Sequence, residues 1–181
     1  EHPHHLRPLR PQPHLDPLVL GVPHGDVLEG GGVEVGAQLA VAHCGRLTPA
    51  EAGSIGADFV TDFLPQRAVL AQSALCVTHA GLNTALHALE AGVPMLCVPI
   101  AFDQPGVAAR LVHHGAGLKL SRRRLAPDAV ETALERLLNE PRFRERAEAI
   151  GAAIGQAGGV SRAADAIEDW IAEARPMRRP A

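Results

Sequence analysis

The sequence lacks the features that would place it in several common classes of protein. Its three cysteines are an odd number, which argues against a disulfide framework. The formal net charge is only -3, so there is no excess of positive charge with which to bind nucleic acid. No run approaches the roughly 20 apolar residues needed to cross a bilayer. We therefore expect a soluble, cytoplasmic protein with reduced thiols and no nucleic-acid partner.

The length of 181 residues sets the scale of the fold. With 46% hydrophobic residues, the chain is long enough for one good core and too short for two full Rossmann-like domains. Residues 1–36 hold half of the ten histidines and a run of three glycines, so we predict little regular structure there. A frameshift before Ala37 and a divergent linker both explain this segment. We predict a folded domain over residues 37–174 and a disordered tail over residues 175–181.

The most informative stretch, residues 74–84, reads ALCVTHAGLNT. Its apolar start is typical of a buried parallel strand, and apolar residues then recur from Leu82 at helical spacing. Ala80 and Gly81 favour a tight turn between strand and helix. Because the first amides of a helix have no partner within it and the helix dipole is positive there, this junction favours an anion. His79 can donate to that anion from the turn.

Three polar residues extend this candidate site along the helix. Asn83 and Thr84 stand four and three positions before His87, so all three can face what the turn binds, and a phosphate or diphosphate is the simplest ligand. A capped helix with an ordinary core histidine at position 79 is the simpler alternative. Cys76 and His79 form half of a metal-ligand spacing, but no second half exists, and we predict no metal site.

Two further segments suit the ends of a longer ligand. An apolar strand at residues 95–98 is followed by Asp103 and Gln104. In an open parallel sheet, ligands bind outside the carboxyl ends of the strands, where His79 and the Asp103-Gln104 pair would both lie. Upstream, FLPQ at residues 63–66 offers an aromatic face and an amide for a base. A base, a diphosphate and a hydroxyl-rich end together describe a nucleotide sugar.

From residue 37 onward the chain alternates between predicted strands and helices. Thr48-Pro49-Ala50-Glu51 matches a capping box with proline in the first turn, and Gly92 and Gly115 stand where two helices should end. The alternation indicates an α/β fold with a Rossmann-like, doubly wound parallel sheet. The predicted strands are residues 38–42, 57–60, 74–77, 95–98 and 118–120.

The motifs FLPQ, THAGLNT, GVPM and DQPGVAAR resemble, in order and spacing, the donor-binding signature of family 1 UDP-glycosyltransferases. The resemblance covers residues 63–117. It implies the carboxy-terminal domain of a GT-B glycosyltransferase, with the amino-terminal domain missing. The family's first strand and its glycine-containing phosphate loop should then lie within residues 1–36. The wider sequence is most similar to bacterial members that act on carotenoids, which implies a small lipophilic acceptor.

The resemblance also implies a role for each site residue. Phe63 would stack on uracil where many members have tryptophan, Leu64 would meet the base through its backbone, and Gln66 would support that site. At the junction, His79 would donate to the diphosphate. The other residues implied to hold the donor are Gly81, the amide of Leu82, Asn83 and Thr84, with Asp103 and Gln104 on the sugar hydroxyls.

Two departures from the family pattern matter. His87 stands where many members have a glutamate for the ribose hydroxyls, which leaves the choice of nucleotide open. The general base of the family is a histidine of the amino-terminal domain, and none of the early histidines here has a recognisable version of that site. We therefore expect this chain to bind donor without catalysing transfer on its own.

The implied reaction is an inverting, metal-independent transfer of a hexose, with glucose expected, from a UDP-sugar to a hydroxyl group. No cofactor beyond the UDP-sugar donor is implied. Two other functions stay open, namely a non-catalytic nucleotide-sugar binding module and a nucleotide-sugar epimerase, which would need acid-base groups beyond Asp103. One interpretation of Arg122–Arg124 is peripheral contact with an anionic membrane, and a solvated loop is the alternative.

Overall fold

The computed structural model describes residues 18–23, 39–43 and 47–173. Strands and helices alternate through this part of the chain. The strands are β1 (Leu18–Pro23), β2 (Leu39–Ala42), β3 (Phe59–Thr61), β4 (Ser73–Thr78), β5 (Met95–Cys97) and β6 (Gly117–Lys119). The helices are α1 (Pro49–Gly53), α2 (Gln66–Leu70), α3 (Leu82–Glu90), α4 (Gln104–His113), a 3-10 turn (Arg122–Arg124), α5 (Pro127–Asn139), α6 (Arg142–Gln156) and α7 (Gly159–Glu173).

Local sequence signals set several helix boundaries. The capping box is confirmed: the Glu51 amide donates to the Thr48 side chain at 3.3 Å, and the Thr48 amide donates to the Glu51 carboxylate at 2.8 Å. The bond from the Thr48 amide, and after it a bond from the Thr48 hydroxyl to the same carboxylate, lower the pKa of Glu51. Helices α3 and α4 both end in Schellman motifs, with Gly92 and Gly115 at φ of 68° and 76°. The two glycines return the chain directly into β5 and β6.

The six strands form one sheet in the order β3-β2-β1-β4-β5-β6. This is the strand order of the doubly wound dinucleotide-binding fold. All neighbouring pairs are parallel except those of β1, which runs antiparallel to both β2 and β4. The sheet is therefore mixed, whereas the sequence predicted an all-parallel one.

Strand β1 is the described part of the first 36 residues, and the expectation of little regular structure in that segment stays a prediction. Leu20 pairs with Ala40 on one side and with Cys76 on the other. Without this short apolar strand, β2 and β4 would each leave a row of backbone groups unpaired inside the sheet. Pro23 pairs with Ser73, so the chain leaves β1 at the edge opposite to the carboxyl end of β4. A phosphate loop after β1, as the resemblance implied, would start at that opposite edge.

Strands β4 and β5 are buried on both faces. Leu75 and Leu96 pack on one face with residues of α5 and with Phe143. The alternate residues Cys76 and Met95 pack on the other face with residues of α3, α4 and α6. Helices therefore cover both faces of the sheet, which confirms the doubly wound α/β arrangement.

Two of the three cysteines lie inside this core. Cys76 and Cys97 are free and buried, as predicted, while Cys44 lies outside the described residues. Burial raises the pKa of the Cys97 thiol to about 12, against a small opposing effect of the Lys119 charge. Burial, and then the neighbouring Cys97, raise the pKa of Cys76 as well. Both thiols are therefore protonated and unreactive at neutral pH.

The last helix, α7, differs from the others because its apolar face is exposed. In α7, Val160, Ile167, Trp170 and Ile171 are all exposed, with Trp170 at 69%. Their spacing forms one apolar face. The tail predicted over residues 175–181 lies outside the described part of the chain, and the predicted domain limits at residues 37 and 174 stay a prediction.

Candidate functional site

The junction between β4 and α3 has the predicted form of strand, tight turn and helix. Ala80 takes a positive φ of 68°, and its amide donates to the buried hydroxyl of Thr78 at 3.2 Å. Helix α3 begins after Gly81 without any side-chain cap. Its first amides and the positive end of its dipole are therefore available to an anion. In the observed strand order the junction lies beside the β1–β4 boundary, the switch point at which doubly wound sheets bind ligands.

His79 lies in this turn with its ring folded over the start of the helix. A Cβ added at Gly81 would stand 2.5 Å from His79 Nε2, so any side chain at position 81 would displace the ring. His79 Nδ1 is buried and has no hydrogen-bond partner among the residues that the structure describes. An unpaired buried ring nitrogen costs free energy that a bond to a ligand or to an undescribed residue would recover.

Hydrogen bonds join the FLPQ segment to the polar face of α3. Gln66 Nε2 donates to Thr84 Oγ1 at 2.8 Å, and Gln66 Oε1 lies 3.4 Å from His87 Nδ1. The structure thus brings together three of the predicted site residues. Because the Thr84 oxygen accepts from Gln66, the Thr84 hydroxyl proton is left to donate to an anion.

Other predicted residues lie around this cluster with different exposures. Phe63 is 77% exposed and presents its ring to solvent, while Leu64 packs partly against the core. Leu82 and Asn83 are exposed in the first turn of α3. These positions fit a base-stacking ring at Phe63 and a diphosphate at the start of the helix.

The structure places Asp103 and Gln104 in unlike surroundings. Asp103 is exposed at the N-cap of α4, and its side chain makes no capping hydrogen bond. Gln104 is only 6% exposed, and its Oε1 accepts from the amides of Ile100 at 2.8 Å and Ala101 at 2.9 Å. Gln104 therefore fixes the loop after β5, and only the nitrogen of its side-chain amide is left to donate to a ligand.

One residue pair at this edge was missed by the sequence analysis. His43 follows β2 and Asp62 follows β3, and His43 Nε2 lies 2.9 Å from Asp62 Oδ1. The signal was that both residues directly follow strands, so parallel pairing of those strands brings them together. Asp62 also directly precedes Phe63.

A basic cleft of about 670 Å³ opens beyond the ends of β5 and β6. It lies at the same edge of the sheet as His79. Within the described ranges, no group of three histidine, cysteine, aspartate or glutamate side chains could hold a metal ion. The cleft is lined by Pro99, Ile100, Lys119, Leu120, Ser121, Arg122 and Arg123.

Comparison with known proteins agrees with this geometry. A family model described as "UDP-glucoronosyl and UDP-glucosyl transferase" matches residues 45–152, which span the junction, the FLPQ loop and the loop after β5. The chain belongs to this family. The resemblance predicted from the four motifs is confirmed, and membership in a family of transferases favours an enzyme of glycosyl transfer.

Individual members of the UDP-glucosyl transferase family are similar over most of this chain. It is 40% identical over 147 residues to the zeaxanthin glucosyltransferase of Pantoea ananas and 43% identical over 141 residues to that of Pseudescherichia vulneris. These matches cover 80% and 76% of this chain but 34% of each relative. The chain thus spans about a third of the length of these curated relatives.

A solved member shows the same fold. The calicheamicin glycosyltransferase CalG4 aligns with a TM-score of 0.66 and 33% identity, over 73% of this chain and 35% of that one. Its similarity confirms the predicted α/β fold of glycosyltransferases for the described part of the chain.

Proposed function

We propose that this chain is the donor-binding part of a UDP-sugar-dependent glycosyltransferase that moves a hexose, glucose by our expectation, to a hydroxyl of a lipophilic acceptor. The observation that carries the proposal is the uncapped start of α3 at the sheet switch point, with the unpaired Nδ1 of His79 beside it. Membership in a family of UDP-glucuronosyl and UDP-glucosyl transferases supports a UDP-sugar as the donor.

The donor lies across the edge of the sheet in this proposal. The base stacks on Phe63, and His87, held by Gln66, bonds the ribose. The diphosphate takes the amides at the start of α3, where the Thr84 hydroxyl can donate to it. The sugar reaches the loop after β5, where Asp103 accepts from its hydroxyls.

The chemistry is an inverting displacement at the anomeric carbon. The acceptor oxygen forms a bond to that carbon as the bond to the UDP oxygen breaks, and the electron pair leaves with UDP. Negative charge therefore develops on the diphosphate, where His79 and the helix amides already lie. Because these groups stabilise the leaving group, the proposal needs neither a metal ion nor a cofactor beyond the donor.

A second domain completes the enzyme in this proposal. The chain spans about a third of the named zeaxanthin glucosyltransferases, which leaves room for an amino-terminal domain that binds acceptor and supplies the base. The names of these two relatives support a small lipophilic acceptor. The exposed apolar face of α7 is available to pack against that domain.

We also propose a cytoplasmic enzyme that touches an anionic membrane through the basic cleft. The support is the combination of Lys119, Arg122 and Arg123 with the exposed Ile100 in one surface. No helix in the described ranges is long and apolar enough to cross a bilayer. Co-sedimentation with phosphatidylserine vesicles, and not with neutral vesicles, tests the contact, and equal binding to both would exclude it.

Binding of UDP tests the main proposal. A ligand that binds only the folded state at a hundredfold excess over its dissociation constant stabilises it by about 2.7 kcal/mol, enough to raise a melting temperature visibly. We expect UDP to stabilise the chain and uridine to do so far less. The chain alone should transfer no glucose, whereas addition of an amino-terminal domain should restore transfer. Absence of any stabilisation by UDP would overturn the proposal, and binding without restored transfer would favour the non-catalytic module.

A further inference from the structure

His43 and Asp62 join the ends of two neighbouring strands at the ligand edge of the sheet. Strands β2 and β3 are parallel, with Ala42 opposite Thr61. His43, the first residue after β2, donates from its backbone amide to the Thr61 carbonyl at 3.0 Å. Its imidazole then reaches one residue further, to Asp62 Oδ1 at 2.9 Å. The chain after β3 is therefore held by both the backbone and the side chain of His43.

The hydrogen bonds of His43 define its protonation pattern and its role. Its Nδ1 accepts from the Leu47 amide at 3.3 Å, so the ring proton lies on Nε2 and is donated to Asp62. The His43 side chain is 5% exposed, whereas that of Asp62 is 74% exposed. With both ring nitrogens engaged and the ring buried, His43 has no lone pair with which to deprotonate an acceptor. Its geometry is that of a residue that orients another.

The pair lies beside Phe63. Asp62 is its immediate neighbour, and the Thr61 side chain donates to the Phe63 carbonyl at 3.3 Å. The backbone is thus fixed on both sides of Asp62 while the Phe63 ring stays exposed. A ring carried on a fixed backbone loses less conformational freedom when a partner stacks on it than a ring on a mobile backbone does.

We propose that His43 is a positioning residue that acts through Asp62 to hold Phe63 as the stacking face for the nucleotide base of the donor. This inference rests on the proposed function, because it needs a donor with a base. It assigns His43 and Asp62 to recognition of the base and not to the diphosphate. Strands β2 and β4 are separated by β1, so His43 and His79 belong to positions about 10 Å apart along the edge.

The experiment compares two ligands on matched variants of the full 181-residue chain. Asp62→Ala removes the exposed partner without altering the core, and Asp62→Asn keeps an oxygen that can accept from His43. Asp58→Ala is the control, because Asp58 flanks the other end of β3 and accepts from the Leu39 amide at 2.7 Å. Calorimetry measures the affinity of each protein for UDP and for inorganic pyrophosphate.

We expect Asp62→Ala to weaken UDP binding by about three- to tenfold, as loss of an aromatic stacking contact does, with pyrophosphate binding unchanged. Asp62→Asn and Asp58→Ala should keep UDP affinity within about twofold of the unmodified chain. A Phe63→Ala variant should lose as much UDP affinity as Asp62→Ala does. The double variant, with both substitutions, should lose no more UDP affinity than either single variant.

Two results would overturn the inference while the proposed function stands. One is unchanged UDP affinity in Asp62→Ala, and the other is an equal loss for UDP and pyrophosphate, which would mean that the pair supports the whole site. If the unmodified chain binds neither ligand, the proposed function itself fails and the inference fails with it.

Discussion

His79 Nε2 lies 2.5 Å from the point at which a Cβ on residue 81 would stand. Gly81 has φ of -62° and ψ of 138°, a conformation open to any residue, so an added Cβ would meet the imidazole without straining the backbone. The Gly81→Ala change should push the ring out of its position and cost about 1 to 3 kcal/mol of stability, as overpacking does. UDP affinity should fall with it.

Gly106 provides the control for this change. It lies in the first turn of α4, and a Cβ there would meet nothing within 4 Å. Gly106→Ala should therefore leave the melting temperature unchanged or raise it, since alanine favours helix. Urea unfolding and UDP titration of both variants check the difference, and equal behaviour of the two would contradict the proposed packing.

Loss of the His79 imidazole should weaken binding of the diphosphate. His79→Ala should weaken UDP binding by about 1 to 3 kcal/mol, the amount expected when a charge-assisted donor is removed. His113→Ala is the control, because His113 is an exposed histidine at the end of α4. Calorimetric titration measures both, and the same UDP affinity in His79→Ala as in the unmodified chain would reduce His79 to an ordinary core histidine.

Asp103 and Gln104, although adjacent, should give different results on substitution. Asp103→Ala should weaken UDP-glucose binding and leave UDP binding unchanged, because in our proposal this exposed carboxylate accepts only from the sugar hydroxyls. Gln104→Ala instead removes the acceptor of two backbone amides, at Ile100 and Ala101. It should lower the free energy of unfolding by about 1 to 3 kcal/mol. Denaturation and titration of both variants check this difference. A loss of stability in Asp103→Ala, or a loss of UDP-glucose affinity alone in Gln104→Ala, would contradict these roles.

Stability at high pH should depend on the buried thiols. Above the ordinary thiol pKa of 9.0 the unfolded chain loses these protons, whereas the folded chain keeps them because the pKa of Cys97 is about 12 and that of Cys76 is also raised. The unfolded state then binds fewer protons, so the free energy of unfolding falls as pH rises, by about 1.4 kcal/mol per pH unit for each thiol. The stabilisation is complete below pH 9.

The composition makes that effect measurable. The chain has no tyrosine and a single lysine, Lys119, so few other groups titrate near pH 10. We would measure the free energy of unfolding in urea at pH 8 and at pH 10. It should fall less between these pH values in a Cys76→Ala, Cys97→Ala double variant than in the unmodified chain. The same loss in both proteins would contradict the assignment to these two thiols.

Features that depend on neighbours in sequence were predictable. The Thr48 and Glu51 capping box and the helix ends at Gly92 and Gly115 all follow from residues within five positions of each other. The β4–α3 junction with His79 was predicted for the same reason, since its strand, turn and helix are contiguous.

Features that depend on residues far apart in the sequence could not be predicted. The direction of β1 is set by its pairing with β2 and β4, and nothing in its own apolar residues encodes it. His43 was overlooked because its partner Asp62 lies 19 positions away, after a different strand. The burial of Gln104 likewise follows from two amides of a folded loop, which a polar residue type does not reveal.

The exposed face of α7 carries the only tryptophan of the chain, Trp170. The residue is 69% exposed and belongs to neither of the two core clusters. Intrinsic fluorescence should therefore emit at long wavelength in the native protein and change little when the core unfolds. A shift to shorter wavelength on mixing with another protein would instead report that α7 has been covered, which makes Trp170 a built-in optical probe of association.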